Sequence, residues 1–237
     1  KNAGFNSEEI ALMCASHNGE EIHVQKAMGM AKKLGLKARH YECGSHAPHD
    51  KSTREEARKI NKIFTPFHNN CSGKHSGMLA LAKKLKVDPA GYIKIDHPVQ
   101  QTIFKQLKRL TGHNHFPKGI DGCSAPTPFL SLHSIAGLFQ KLGSGKYPEL
   151  TEAYMAMSKH PYLIGGKNRF DTEFNSTLNG RGICKAGGEA IRGIVLKTQK
   201  HGLMGIAIKV LDGNQRAIEV ATMATLNHLN VLKDEET

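Results

Sequence analysis

The alternation of apolar and polar positions divides the chain into short elements. Ile10-Ala11-Leu12-Met13-Cys14-Ala15 is an unbroken apolar run that ends in the polar turn Ser16-His17-Asn18-Gly19, and it reads as a buried strand delivering a loop. Over residues 20–34 the apolar positions Ile22, Val24, Ala27, Met28, Ala31 and Leu34 recur at near-helical spacing, and Gly35 stops the run. Residues 53–63 predict a second helix, with Thr53 and Glu56 in capping-box positions. The strongly helix-forming run 78–85 then places Cys71-Ser72-Gly73-Lys74-His75-Ser76 at or just inside a helix N-terminus, where free amide donors and the helix dipole favour anions and thiolates.

Further helices are expected over 98–110, 130–142 and 148–158, while 121–128 is too rich in turn formers to be regular and should hold Cys123 in a fixed loop. After residue 180 the character changes. Residues 191–196 and 203–211 are rich in Ile, Val and Leu around the turn His201-Gly202, which predicts two antiparallel strands. Residues 217–232 read as a closing helix with Ile218, Val220, Ala221, Ala224, Leu226 and Leu229 inward. Strands at both ends of a helical middle predict an α+β fold, an antiparallel sheet packed on helices with an all-α lobe inserted over roughly residues 53–180.

Length and composition narrow the class. The 237 residues suit one sizeable core, so a single domain is expected. With 39% hydrophobic and 23% charged residues and no low-complexity tract, the chain should be folded. No segment approaches the roughly 18 uninterrupted apolar residues of a membrane span, and Lys1-Asn2-Ala3-Gly4-Phe5 has no apolar signal core. An odd set of five cysteines fits a reducing compartment, so a cytoplasmic location is expected. The net charge of +12 raises nucleic-acid binding. However, the lysines fall at helical spacing on solvated faces, and only Phe104 and Phe116 lie near a cluster, that of Lys105, Lys108 and Arg109. No nucleic-acid partner is expected.

Cys14, Cys43 and Cys184 read as small buried hydrophobes, whereas Cys71 and Cys123 occupy polar, turn-rich surroundings. Tetrahedral zinc takes ligands from separate loops, and a catalytic site needs only three from the protein. By spacing alone the third would be His75, four residues after Cys71. Ser16, beside His17 and Glu20, reads as a nucleophile or as a helix cap. Lys185, in Cys184-Lys185-Ala186-Gly187-Gly188-Glu189, precedes an expected edge strand and is similar to the Lys-Thr-Gly lysine of penicillin-recognising serine enzymes.

Four segments together resemble the rhizobial-type, class 3 or asparaginase II, L-asparaginases: Cys-Ala-Ser-His-Asn-Gly-Glu at 14–20, Asn-Asn-Cys-Ser-Gly-Lys-His-Ser-Gly-Met-Leu at 69–79, Asp-Gly-Cys-Ser-Ala-Pro at 121–126 and Lys-Ala-Gly-Gly-Glu at 185–189. The resemblance implies a penicillin-binding and serine β-lactamase-like fold, a homodimer, and hydrolysis of L-asparagine to aspartate and ammonia. It implies zinc bound by Cys71, Lys74 and Cys123, which replaces His75 by the Lys74 amine, with His75 and Asp121 near the metal orienting substrate or ligands. It also implies that Ser16 and Lys185 form one of two serine-lysine pairs. The other pair belongs to a Ser-x-x-Lys motif that these 237 residues do not contain, so a missing N-terminal segment is expected. Another serine-lysine amidase, a glutaminase, or a non-catalytic zinc- and ligand-binding homologue are the alternatives.

Overall fold

The computed structural model describes residues 4–236; Lys1–Ala3, part of the stretch read above as lacking a signal core, lie outside them. The chain forms two compact units, one running to Phe129 with Leu163–Lys167 added, the other made of Leu130–Tyr162 and the chain from Asn168 onward. Mixed helices and small antiparallel sheets make the class α+β. Among the described residues no helix is long and apolar enough to cross a membrane.

The first unit is built on five helices: α1 (Ser7–Met13), α2 (Glu21–Leu34), α3 (Lys51–Lys59), α4 (Ser72–Leu85) and α5 (Pro98–Thr111). The strand expected over residues 10–15 is instead the second half of α1 over residues 10–13, with Cys14 as its C-cap. Asn6 accepts from the Glu9 amide at 3.0 Å while the Glu9 carboxylate accepts from the Asn6 amide at 2.8 Å. This reciprocal cap contributes about 1 kcal/mol and commits the apolar run to a helix. In α2, Val24, Ala27, Met30, Ala31 and Leu34 are buried, but Ile22 and Met28 face solvent. The helix α3 starts earlier than expected because Asp50, not Thr53, caps it: Asp50 accepts from the Thr53 amide at 2.7 Å. Leu12, Ala27, Met30, Leu79, Ala82 and Tyr92 share one core in which α1, α2 and α5 all pack on α4.

The segment expected to be irregular over 121–128 is partly a ribbon. Strand β1 (Lys118–Ile120) pairs antiparallel with β2 (Pro126–Pro128), Lys118 opposite Pro128 and Ile120 opposite Pro126. Prolines are tolerated because each strand has only one neighbour. The tip between them is closed by the Asp121 amide on Ala125 O at 2.9 Å and the Ser124 amide on Asp121 O at 2.8 Å. Cys123 therefore does sit in a fixed turn.

The second unit contains α6 (Leu132–Gly143), α7 (Pro148–Lys159), α9 (Phe170–Leu178) and α10 (Ile218–His228), with the one-turn α8 (Pro161–Ile164) leading out of it. Its sheet runs β3 (Gly182–Gly187), β4 (Ile191–Thr198) and β5 (Gly202–Lys209), all antiparallel with β4 central. Cys184, Ile194, Leu196 and Ile206 face Phe174, Leu178 and Leu226 of α9 and α10. On the other face α6 comes unusually close, because Gly205 has no side chain: a Cβ there would lie 2.0 Å from Ala136 O. In α10 the buried stripe is Ile218, Thr222 and Leu226, whereas Val220 and Ala224, expected inward, are exposed. Thr222 is tolerated in that stripe because its hydroxyl donates to Ile218 O at 2.6 Å.

Candidate functional site

Helix α4 begins directly after Cys71, so Cys71 and Lys74 stand one turn apart at its start. Asn69 fixes the approach: its side-chain amide donates to Cys43 O at 2.8 Å and its oxygen accepts from the Cys71 amide at 2.8 Å. A side chain on Gly73 would put Cβ 2.0 Å from Leu12 O, so the turn between Cys71 and Lys74 lies flat against α1. The ribbon tip brings Asp121 and Cys123 to the same place. The ligand atoms of Cys71, Asp121 and Cys123 all lie within 4.8 Å of one another, close enough to hold a metal ion. Lys74 Nζ donates to Asp121 Oδ2 at 3.0 Å and Cys123 Sγ lies 3.5 Å from the same oxygen.

The electrostatics follow from this packing. The Cys71 thiol donates to Cys123, which pushes Cys71 well above the usual thiol range, and burial adds to that. The same hydrogen bond, against burial and assisted by His75 and Lys74, holds Cys123 well below the usual thiol range. Burial disfavours the Lys74 ammonium, but Cys71, Cys123 and Asp121 outweigh it and hold Lys74 above the usual lysine range. Asp121 is likewise opposed by burial yet held low by Lys74. One thiolate, one thiol and a carboxylate with a lysine beside them form a donor set that a thiophilic divalent cation fits.

His75, buried, does not join the ligand atoms; its Nδ1 makes a short contact with the Tyr92 hydroxyl. That hydroxyl also accepts from the Glu42 amide at 2.9 Å. Burial pushes the Tyr92 phenol up, so it stays a neutral partner.

Ser16 lies in the same unit. The Ser16 amide donates to Ile164 O at 3.0 Å and the Asn18 amide to Gly165 O at 2.8 Å. Asn70 Nδ2 donates to Ser16 Oγ at 3.2 Å, leaving the serine proton available for donation. Ser16 is thus no helix cap: α2 starts five residues later, at Glu21. His17 was missed as a positioning group. Its Nδ1 accepts from the Gly19 amide at 3.1 Å, so Nε2 carries the proton and donates to Ser72 Oγ at 2.9 Å. Ser76 Oγ in turn donates to Ser72 O at 3.0 Å and receives the Tyr41 hydroxyl at 2.8 Å. The Ser-x-x-x-Ser spacing of 72 and 76 on one helix face was the only sequence signal for this network.

Lys185 belongs to the second unit, within edge strand β3 rather than before it, and its Nζ donates to Ala186 O. Asp171 accepts from the Ala186 amide at 2.6 Å and pairs with buried Arg192 at 3.5 Å. Asn175 holds Cys184 on both sides, accepting from its amide at 2.6 Å and donating to its carbonyl at 2.9 Å. Lys185 is thus gripped between two anchored neighbours. Cys43 and Cys184 are buried as expected, with burial pushing Cys43 up to about 12, but Cys14 is only half-buried.

The sequence model of the L-asparaginase II family matches residues 1–237. The chain belongs to the L-asparaginase II family. That membership supports a hydrolase, an asparaginase by the family's description, with a small-molecule substrate. In a comparison with curated proteins, no sequence matched the chain.

Proposed function

We propose that the protein hydrolyses L-asparagine to L-aspartate and ammonia, with Ser16 as nucleophile and Lys185 as its proton acceptor. The observation that carries this reading is the convergence, in an L-asparaginase II family chain, of Cys71, Lys74, Asp121 and Cys123 on one point of the unit that holds the Ser16 loop. The three-stranded antiparallel sheet packed against α6, with Lys185 on its edge strand, supports a serine β-lactamase-like arrangement.

Ser16 Oγ attacks the side-chain carbonyl carbon of asparagine while its proton passes to the neutral Lys185 amine. Collapse of the tetrahedral adduct breaks the C–N bond, and the leaving nitrogen takes that proton and departs as ammonia. Water then cleaves the aspartyl ester and restores the Ser16 hydroxyl. Asn70 Nδ2 holds Ser16 Oγ in place throughout, so that the attacking oxygen is oriented before substrate arrives. Zinc held by Cys71, Lys74 and Cys123, with Asp121 and His75 beside them, would supply a fixed positive charge for orienting the substrate.

The test is ammonia release from L-asparagine by the protein and its Ser16→Ala and Lys185→Ala variants, with zinc content measured on each. Loss of turnover in both variants with zinc retained supports the assignment. Equal turnover by Ser16→Ala overturns the nucleophile. Bound zinc without ammonia from the parent protein favours a non-catalytic ligand-binding role, and faster release from glutamine favours a glutaminase.

A further inference from the structure

The lysine cluster of α5, which the helical spacing assigned to a solvated face, is part of a concavity. A cavity of about 370 Å³ is lined by Lys105, Lys108, Lys118 and His115 over Phe104 and Phe116. That volume lies within the range of about 300–1,000 Å³ typical of small-molecule sites. Among the described residues no carboxylate lines it, and none of the three ammonium groups has an ion-pair partner. Lys118 reaches it from β1 across the ribbon and stands 5.5 Å over the Phe104 ring.

Three uncompensated ammonium groups around an apolar floor repel one another, and the low-dielectric floor concentrates their field in the mouth of the cleft. An anion with several charges removes that repulsion. The donors are lysines, with no arginine fork among them, which suits the tetrahedral oxygens of phosphate rather than a planar carboxylate. The floor decides the size of the ligand. Phe104 is 5% and Phe116 2% exposed, so neither ring offers a face for stacking bases of a strand.

We infer that this cavity binds a small phosphate compound carrying at least two negative charges. It shares no lining residue with the Cys71–Cys123 cluster and does not depend on the proposed hydrolysis.

Isothermal titration calorimetry with pyrophosphate and with ADP, at low and at raised salt, tests it. The comparison is with Lys105→Gln/Lys108→Gln/Lys118→Gln and with a control, Lys83→Gln/Lys84→Gln, that removes charge elsewhere. Binding by the parent and control, weakened at least tenfold in the triple variant and falling with salt, is the expected result; tighter binding of ADP than pyrophosphate would identify a nucleotide as the source of the phosphate. Absence of binding to either compound, equal affinity in the triple variant, or equal loss in the control would each overturn the site. Tighter binding of duplex DNA through the same lysines would overturn the small-ligand class. Should the triple variant fail to fold, Lys105→Gln alone should weaken binding severalfold, and an unchanged affinity would refute the inference.

Discussion

Nε2 of His17 lies 2.9 Å from Oγ of Ser72, and both side chains are fully buried. This single contact fastens the loop carrying Ser16 to the first turn of the helix carrying Lys74, across 55 positions of sequence. Replacing His17 with Ala leaves the Ser72 hydroxyl without its donor and the Gly19 amide without its acceptor, at a cost of about 1–3 kcal/mol. Denaturant unfolding should show that loss, with kcat for asparagine falling because the Ser16 loop loses one of its ties while those to Asn70 and Ile164 remain. Ser72→Ala should cost less, and the double variant less than the sum of the two.

How much of this was legible follows from reach along the chain. The start of α4 was readable because five reactive residues and a glycine, 71–76, precede the helix-forming run 78–85. The misread α1 shows the converse: six apolar residues cannot distinguish a strand from a helix by periodicity, and the deciding signal was Asn6 and Glu9 at capping spacing. Cys71 and Cys123 stood out because their surroundings gave a hydrophobe no reason to be there. The grip of Asp171 and Asn175 on β3, and the His17–Ser72 bond, depend on tertiary placement and leave no local trace.

Metal binding should be accompanied by proton release in a number that identifies the third ligand. Without metal, Cys71 and Lys74 are held above their usual ranges and stay protonated at neutral pH, whereas Cys123, which receives the Cys71 thiol hydrogen bond, is held well below its usual range as a thiolate. A ligand whose pKa lies above the working pH gives up one proton on binding, so affinity rises with pH. With Cys71 and Lys74 both bound, log affinity for zinc should rise by about two per pH unit near neutrality; with Asp121 in place of Lys74 the slope is about one. Competition titrations against a chelator at several pH values give the slope directly. Cys71→Ser and Cys123→Ser should each abolish stoichiometric binding.

Gly73→Ala should be disproportionately harmful for one methyl group. The new Cβ would meet the backbone of Leu12, which cannot rotate aside, so α1 and α4 must separate. A loss of about 2–3 kcal/mol or more is expected in chemical denaturation, together with weakened zinc affinity. Gly122→Ala, where a Cβ meets nothing within 4 Å, should leave stability nearly unchanged and serves as the control.

Asp171→Ala removes the carboxylate that pairs with Arg192 and receives the Ala186 amide. Both charged side chains are almost fully buried. An uncompensated guanidinium in that position costs about 3–5 kcal/mol. Thermal unfolding should register the loss, and at temperatures where the variant stays folded, asparagine turnover should fall through misplacement of Lys185.

The five residues Leu163–Lys167 belong to the first unit although the second surrounds them in sequence. They supply Ile164 O and Gly165 O to the Ser16 and Asn18 amides, and Lys167 O to the Asn18 side chain. On a ribosome, where the chain emerges from its N-terminus, the Ser16 loop waits for acceptors made almost 150 residues later than itself. The helices α6 and α7 are synthesised in that interval, so a nascent chain arrested at Phe129 holds the Cys71 and Cys123 segments and the His17–Ser72 tie but still lacks the carbonyls that receive the Ser16 and Asn18 amides.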